Sequence, residues 1–489
     1  MGHPTVALVH YHLRRGGVSR VIETASTCLT KAGIPHVILC AAPPEGRHKL
    51  PIQIVEELGY DSERGAGASG IRIVRAMRKA VRNAFASGRV IWHFHNHSIG
   101  KNRGFSDAAG ILAESGEPMV LQYHDFAEDG RPAAYPAIAN SETLYPYAPQ
   151  IVHAFINSRD RQHLLKAGLP EKHTILHPNA ITPPARVKPL PRAPRKPLVL
   201  YPVRGIRRKN LGELFLLAAL APKGTRFAVS LKPENKPWKP VHDEWVAFAS
   251  DTGLPVLLDV VGRVAPAPKK QRTFASWVRH STHFITTSVA EGFGLGFLEP
   301  AVIGKPLFGR NLPMVTGDFA DHGIHPGRLY DRLLVPESWV GLETLRQNLV
   351  RTMQTTLESY GHEMSNQHLD RSFSAMRNKG HLDFGNLPEN LQRQVIHRLL
   401  AGSEQSEVLA QTGDATQALS QWLAESLDQK NPSVSPEQLG PYTPKAYLKR
   451  LKELYDQASN ASPEAPAYLT QRKVLCEFLK PGSFHFLRT

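Results

Sequence analysis

Between Thr182 and Pro197 the chain carries six prolines, Pro183, Pro184, Pro189, Pro191, Pro194 and Pro197, interleaved with basic residues. Proline fixes φ and has no backbone N–H, so neither a helix nor a sheet interior accepts that density. The stretch reads as a linker, and it separates two segments with the same pattern. Upstream, residues 6–11 form a short apolar run of the kind expected for a buried parallel strand. A basic, glycine-containing loop follows at residues 12–17, and then Val18, Val21, Ile22, Ala25, Cys28 and Leu29 recur at helical spacing. Residues 37–40, 90–94, 119–123 and 152–156 read as further strands. Downstream the alternation repeats: strands at 198–203, 227–231, 256–261 and 283–287, helices at 210–220 and 295–303. Strands alternating with helices predict a doubly wound α/β sheet on each side of the linker.

Beyond about residue 345 the pattern changes. Residues 345–357, 388–400, 415–427 and 444–457 look like amphipathic helices separated by polar loops. The expected organisation is therefore 1–182, a Rossmann-like domain; 183–197, the linker; 198–345, a second Rossmann-like domain; and 346–489, an α-helical extension.

Charge narrows the choice of partners. With 59 basic and 43 acidic residues the formal net charge is +16, which favours phosphates, nucleic acid or an anionic membrane surface. From Arg186 to Lys209 nine residues are Lys or Arg and none is acidic. Aromatic residues make up only 8% and are not interleaved with basic ones as in stacking platforms for single strands, so no specific nucleic acid is expected. No apolar run reaches the roughly 18–20 residues of a membrane span. The three cysteines, Cys28, Cys40 and Cys476, have no metal-ligand spacing and fit free thiols in a reducing compartment. The expectation is a cytoplasmic protein, with peripheral contact to an anionic inner membrane face as a candidate interaction.

The residues 288–299, Ser-Val-Ala-Glu-Gly-Phe-Gly-Leu-Gly-Phe-Leu-Glu, follow a predicted strand and open a predicted helix. Glycines there let backbone approach a ligand, and the helix start offers N–H groups and a positive dipole to a diphosphate. Glu291 lies before the helix and Glu299 inside it, so the two carboxylates flank that position and can accept from hydroxyls of a sugar and a ribose. His124 ends a predicted strand at the carboxyl edge, where open α/β sheets bind ligands. His93, His95 and His97 alternate along another strand, but no carboxylate or cysteine stands near them in sequence, and no metal site is expected.

Residues 291–299 resemble the Glu, seven residues, Glu motif of glycosyltransferase family 4, whose members have the GT-B fold. Other segments match that family in order: Gly16-Gly17-Val18, its N-terminal Gly-Gly-Val loop; residues 120–125, its His-Asp strand end; residues 177–180, its Pro-Asn-Gly segment; Arg204 to Asn210, its Gly-Arg…Lys-Asn segment; and Val261-Gly262-Arg263-Val264, the strand end lining its base pocket. The resemblance spans about residues 5 to 345. It implies a GT-B fold with the acceptor side on the first domain and the nucleotide sugar on the second. It also implies roles: Arg204 and Lys209 as cations on the donor diphosphate, Glu291 and His124 on the transferred sugar, Glu299 on the ribose. Gly16, Gly17, Gly262, Arg263, Gly294, Leu295 and Gly296 would complete the donor site. The sequence departs from the family at Pro300, where alanine is usual and where proline removes a helix hydrogen bond. It departs again at Asn311-Leu312-Pro313, and the extension has no counterpart in the family's minimal pattern.

The activity implied is a retaining hexosyltransferase with a nucleoside-diphosphate sugar, UDP- or GDP-linked, as co-substrate, no other cofactor, and a sugar, lipid or small-molecule acceptor. A sugar phosphorylase or a nucleotide-sugar epimerase would use the same fold, and a basic protein binding nucleic acid or a membrane surface would share the charge. Because fixed cations stand where a metal would act and the donor segments lack an Asp-x-Asp motif, EDTA should leave initial rates nearly unchanged. Activity lost to EDTA and restored by Mg²⁺ or Mn²⁺ would contradict this.

Overall fold

The computed structural model describes residues 4–46, 48–65, 67–85, 88–182, 196–234, 236–261, 273–402, 404–480 and 482–488. The linker expected at 183–197 thus lies outside the described residues except for Lys196 and Pro197. The chain forms two compact units. The first comprises Met1–Ile181, Thr356–Glu363 and Gly440–Lys480; the second comprises Thr182–Thr355, Met364–Leu439 and Pro481–Thr489.

The first unit holds β1 (Thr5–Val9), β2 (His36–Cys40), β3 (Ile52–Ile54), β4 (Val90–His95), β5 (Met119–Tyr123), β6 (Pro146–Tyr147), β7 (Ile151–Phe155) and β8 (Thr174–Leu176). All but β6 join in one parallel sheet ordered β3-β2-β1-β4-β5-β7-β8. Alternate residues feed opposite faces. Ala7 and Val9 enter one core with Trp92, Phe94 and Phe105; Val6 and Leu8 enter another with Ile22, Leu29, Ile91 and Val120. Burial on both faces is why these strands read as continuous apolar runs. The helix Gly17–Lys31 turns Val21, Ile22, Ala25, Cys28 and Leu29 inward, as their spacing predicts. The late helix Pro444–Asn460 adds Tyr447, Leu451, Leu454 and Ala458 to the same core.

The second unit repeats the design with β9 (Leu198–Arg204), β10 (Arg226–Leu231), β11 (Val256–Leu257), β12 (His283–Thr286), β13 (Leu307–Arg310) and β14 (Arg328–Tyr330), ordered β11-β10-β9-β12-β13-β14 and all parallel. In each sheet the order reverses once, between β1 and β4 and between β9 and β12. That reversal opens a crevice outside the carboxyl ends of the two strands, the usual ligand position of doubly wound sheets. Two Rossmann-like units with helical additions constitute the GT-B architecture expected from the sequence.

The extension is helical but not only helical. It also holds β16 (Arg377–Asn378), β17 (His381–Asp383), β18 (Leu409–Thr412) and β19 (Ala415–Ala418), which join β15 (Arg332–Pro336) in an antiparallel sheet ordered β16-β17-β15-β18-β19. Residues 415–427, read as one helix, are a strand followed by the helix Leu419–Asp428. The hairpin turns at Gly413, whose φ of +57° suits a tight two-residue loop. One further short strand, β20 (Ala467–Tyr468), pairs with β6. No described helix is long and apolar enough to cross a membrane.

The extension is tied to the second parallel sheet by buried charge. Arg310, at the end of β13, donates from Nε to both carboxylate oxygens of Glu213, at 2.9 and 3.0 Å, and from Nη2 to Asp383 Oδ1 at 2.8 Å. Tyr330 Oη donates to Glu213 Oε2 at 2.8 Å. Glu213 is 0% exposed and Arg310 6%. Gly385 is the neighbour that permits this approach, since a Cβ there would lie 2.0 Å from Arg310 Nη2. Removing one partner of such a group leaves an uncompensated charge out of water. Arg310→Met should therefore cost about 3–5 kcal/mol and lower the urea midpoint of the second unit; an unchanged midpoint would contradict it.

Candidate active site

β9 runs out at Arg204, and the chain turns through Gly205 and a short 3-10 turn, Arg207–Lys209, into the helix Leu211–Leu220. Asn210 heads that helix with φ +48°, and no side chain caps the helix N-terminus. β12 runs out at Thr286 and passes through residues 287–293 into the helix Leu295–Ile303, headed by Gly294 at φ +82°, again without a side-chain cap. Here glycine is required twice over. The φ is left-handed, and a Cβ would sit 2.6 Å from Val315 Cγ1. The two helix starts thus follow the two strands that flank the switch point, with their first N–H groups and positive dipoles at the carboxyl edge of the sheet.

The loops between strand and helix are stitched together. Val289 N donates to the Arg208 carbonyl at 3.0 Å, and Thr287 Oγ1 donates to the carbonyls of Lys209 and Asn210 at 2.9 and 3.0 Å. Within this frame lies Glu291. Its carboxylate accepts from Lys209 Nζ, from Ser288 Oγ at 2.6 Å and from Arg208 Nη1 at 3.2 Å. Ser288 is held in turn by Tyr201 Oη at 2.7 Å, and Arg208 also bonds the Ala290 carbonyl at 2.6 Å. Burial alone would raise the Glu291 pKa, but the Lys209 and Arg208 charges outweigh it and hold the group at about 2. The carboxylate stays ionised throughout the neutral range. Lys209 is only 7% exposed, an unusual state for lysine unless paired.

The residues singled out from the sequence distribute as follows. Lys209 and Glu291 are brought into direct contact. Arg204, the last residue of β9, pairs with Glu234 in the segment after β10. Gly294, Leu295 and Gly296 form the helix start, and half-buried Glu299 lies about one turn in. Pro300 is buried in this helix, which continues through it to Ile303. Gly262 and Arg263 lie outside the described residues. Sequence reasoning missed Arg208, Ser288 and Tyr201. The basic triplet Arg207-Arg208-Lys209 was visible, but nothing in it said which member faces Glu291. It also missed that the extension braces this loop. Arg207 is gripped by Glu389 at 2.5 and 3.0 Å, and Gln392 Nε2 donates to Asn210 Oδ1 at 3.0 Å.

In the first unit, Gly16 is extended and heads the helix Gly17–Lys31, which no side chain caps. His124 is buried at the end of β5. Its Nε2 is 3.0 Å from His95 Nδ1, and its N–H donates to Asn96 Oδ1 at 2.7 Å. His95 stacks on His93, which bonds Gln122 Oε1 and Tyr455 Oη at 2.9 Å each, while His10 Nδ1 lies 3.1 Å from the His95 carbonyl. His97 turns elsewhere and bonds the Leu144 carbonyl at 2.9 Å. Among the described residues no three His, Cys, Asp or Glu side chains are grouped to hold a metal. Burial pushes His10 and His93 down to about 3 and His97 and His124 down to about 4.

No family model matches the chain. A mannosylglucosyl-3-phosphoglycerate synthase of Petrotoga mobilis (strain DSM 10674 / SJ95) is 27% identical over 424 residues, covering 79% of each chain. Among solved structures, sucrose-phosphate synthase (tll1590) from Thermosynechococcus elongatus superposes with a TM-score of 0.53 at 13% identity, covering 94% of this chain and all of its own.

These histidines set a pH dependence. A depressed pKa means the unfolded chain, with histidine near 6.5, binds more protons than the folded one below that value. The stability they contribute is complete above about pH 6.5 and is lost as pH falls toward 3–4. The melting temperature of the first unit should therefore fall steadily between pH 7 and pH 5, and a flat profile would contradict the assignment. Two parallel Rossmann-like sheets and the likeness to sucrose-phosphate synthase converge on the GT-B fold, and the sequence is similar to that of a mannosylglucosyl-3-phosphoglycerate synthase.

Proposed function

We propose that the chain moves a hexose, with retention of anomeric configuration, from a UDP- or GDP-sugar to a small phosphorylated acceptor. The observation that carries this reading is the half-buried Glu291 carboxylate, clamped by Lys209, Arg208 and Ser288 beside two uncapped helix starts. A diphosphate entering the crevice meets the helix N–H groups and competes with Glu291 for the same cations. Lys209 and Arg208 then turn toward phosphate oxygens, and Glu291 is released to accept from hydroxyls of the sugar. As the glycosidic bond breaks, charge grows on the departing phosphate, where fixed cations stabilise it most. Front-side attack, with that phosphate taking the acceptor's proton, requires positioning and charge stabilisation and no enzyme nucleophile.

Mannosylglucosyl-3-phosphoglycerate, for which the relative is named, carries phosphate and carboxylate groups. An acceptor of that kind suits the basic residues at the carboxyl edge of the first sheet, including His12, Arg14 and Lys101, and the net charge of +16. Arg14 is paired with Glu63, and the exposed Lys101 has its pKa lowered by partial desolvation and by neighbouring Arg131.

GDP-mannose and UDP-glucose, each with 3-phosphoglycerate or its glucoside, test the reading by NMR of the product's anomeric proton. An α-linked product from an α-linked donor is expected. A β-linked product overturns retention, a requirement for inorganic phosphate points to a phosphorylase, and an isomerised nucleotide sugar points to an epimerase. In folded variants, Lys209→Ala should lower kcat by on the order of a hundredfold, while Glu299→Gln should chiefly raise the donor KM. A Lys209→Ala enzyme with normal kcat and raised KM would make the basic loop a docking surface.

A further inference from the structure

β4 ends in two residues that reach across to β5. His95 is its last residue and Asn96 follows. Asn96 stands at φ +59°, a left-handed conformation that asparagine tolerates better than most residues with a Cβ. Its backbone N–H donates to the Gln122 carbonyl at 3.0 Å, and its own carbonyl accepts from Tyr11 Oη at 2.9 Å. In that pose its side-chain carbonyl, Oδ1, accepts from two consecutive N–H groups, those of His124 at 2.7 Å and Asp125 at 3.1 Å. The backbone of His124 is thereby held. Its ring is held from the same strand end, by the 3.0 Å contact of Nε2 with His95 Nδ1. The two rings are 17° from parallel with centroids 5.3 Å apart, so they meet edge to edge, as a hydrogen bond between ring nitrogens requires. His93 stacks on His95 with centroids 4.3 Å apart and keeps its plane.

Burial lowers His124 to about 4 and His95 well below its usual value, so both rings are neutral near pH 7. A neutral imidazole has one N–H and one bare nitrogen, so in this contact one ring donates and the other accepts. His95 Nε2 settles which. It is enclosed and has no partner among the described residues. A proton there would be a buried, unpaired donor, whereas a proton on Nδ1 has His124 Nε2 to meet. The same division is forced at His97, whose Nε2 donates to the Leu144 carbonyl while its enclosed Nδ1 is left bare. His124 then carries its own proton on Nδ1. That nitrogen bonds no described residue and, unlike His95 Nε2, is not enclosed.

We propose that His95 is a positioning residue for sugar transfer: its Nδ1–H donates to His124 Nε2 and so holds His124 as the Nδ1–H tautomer, a donor to a hydroxyl oxygen of the transferred sugar. This role rests on the reading of His124 as a contact to that sugar. With its proton on Nε2, His124 would offer a bare nitrogen and select a hydroxyl hydrogen instead. His95 therefore decides which kind of hydrogen bond the sugar meets, although, fully buried, it touches no substrate itself.

NMR of the ¹⁵N-histidine-labelled full-length protein, without substrate, tests this. The two rings are assigned by the signals lost in His124→Phe and in His95→Asn. A coupling across the hydrogen bond from His95 Nδ1 to His124 Nε2 is expected, with the proton on His95, together with an Nδ1–H signature for His124. His95→Asn keeps a donor nitrogen on Cγ and should keep that signature. His95→Phe removes the donor and should let His124 take up the Nε2–H tautomer. A wild-type His124 protonated on Nε2, or an Nδ1–H tautomer that survives His95→Phe, overturns the proposal; if His95→Phe does not fold, the wild-type coupling and tautomer decide alone. Turnover of GDP-mannose or UDP-glucose with 3-phosphoglycerate or its glucoside gives a second readout. In folded protein His95→Phe should lower kcat by about tenfold, and His95→Asn should recover most of that loss. In a His124→Phe background His95→Phe should lower kcat no further, because the two residues act as one unit. Additive losses would make His95 structural only and overturn its role. Absence of turnover in the wild type would count against the proposed function, while the tautomer measurement still decides whether His95 holds His124.

Discussion

Everything near the candidate active site depends on a reversal of strand order. In a parallel sheet each strand hands its chain to a helix on one face or the other. Where the direction of winding changes, between β9 and β12, two adjacent strands send their helices apart. Two helix N-termini begin on either side of that point. Asn210 and Gly294 make the turns, Lys209 and Arg208 add positive charge, and Glu291 neutralises it.

The pairing of Lys209 with Glu291 has an energetic rationale. A buried lysine with no partner would give up its proton, and a carboxylate so placed without a cation would take one up. Together they remain ionised, and under the proposed function an incoming diphosphate would have to displace one charge from the other. Under that proposal a neutral ligand offers Lys209 nothing in exchange for Glu291, whereas a dianion does. The extension's grip on Arg207 and Asn210 fixes the backbone of the same turn, so the arrangement does not rest on the two side chains alone.

The alternating pattern was legible because fully buried parallel strands are short apolar runs and their helices carry a 3.6-residue stripe. The residues from Val6 to Lys31 could be read almost as they fold. The glycines and glutamates of the 291–299 segment were legible because a strand-to-helix turn with close backbone approach admits few residue types. What could not be read was set by partners distant in sequence. Nothing local to Glu213 says that Arg310 and Asp383 will meet it, 97 and 73 residues apart along the chain in successive pairs. Residues 415–418 looked helical because alanine and glutamine favour helix, and only pairing with β18 makes them a strand. The histidines of β4 showed their alternation but not their partners, since Tyr455 arrives from 362 residues away.

The return of Gly440–Lys480 to the first unit bears on how the protein is made. Residues 1–181 leave the ribosome with the sheet face that Tyr447, Leu451, Leu454 and Ala458 later cover still bare. Some 260 residues must be synthesised before that cover exists, which takes roughly tens of seconds at about 5–20 residues per second. Through that interval the nascent chain presents an unfinished apolar surface. The second unit waits longer still, for Pro481–Thr489 and the Phe486 ring in its core, so neither unit is complete until nearly the whole chain has been made.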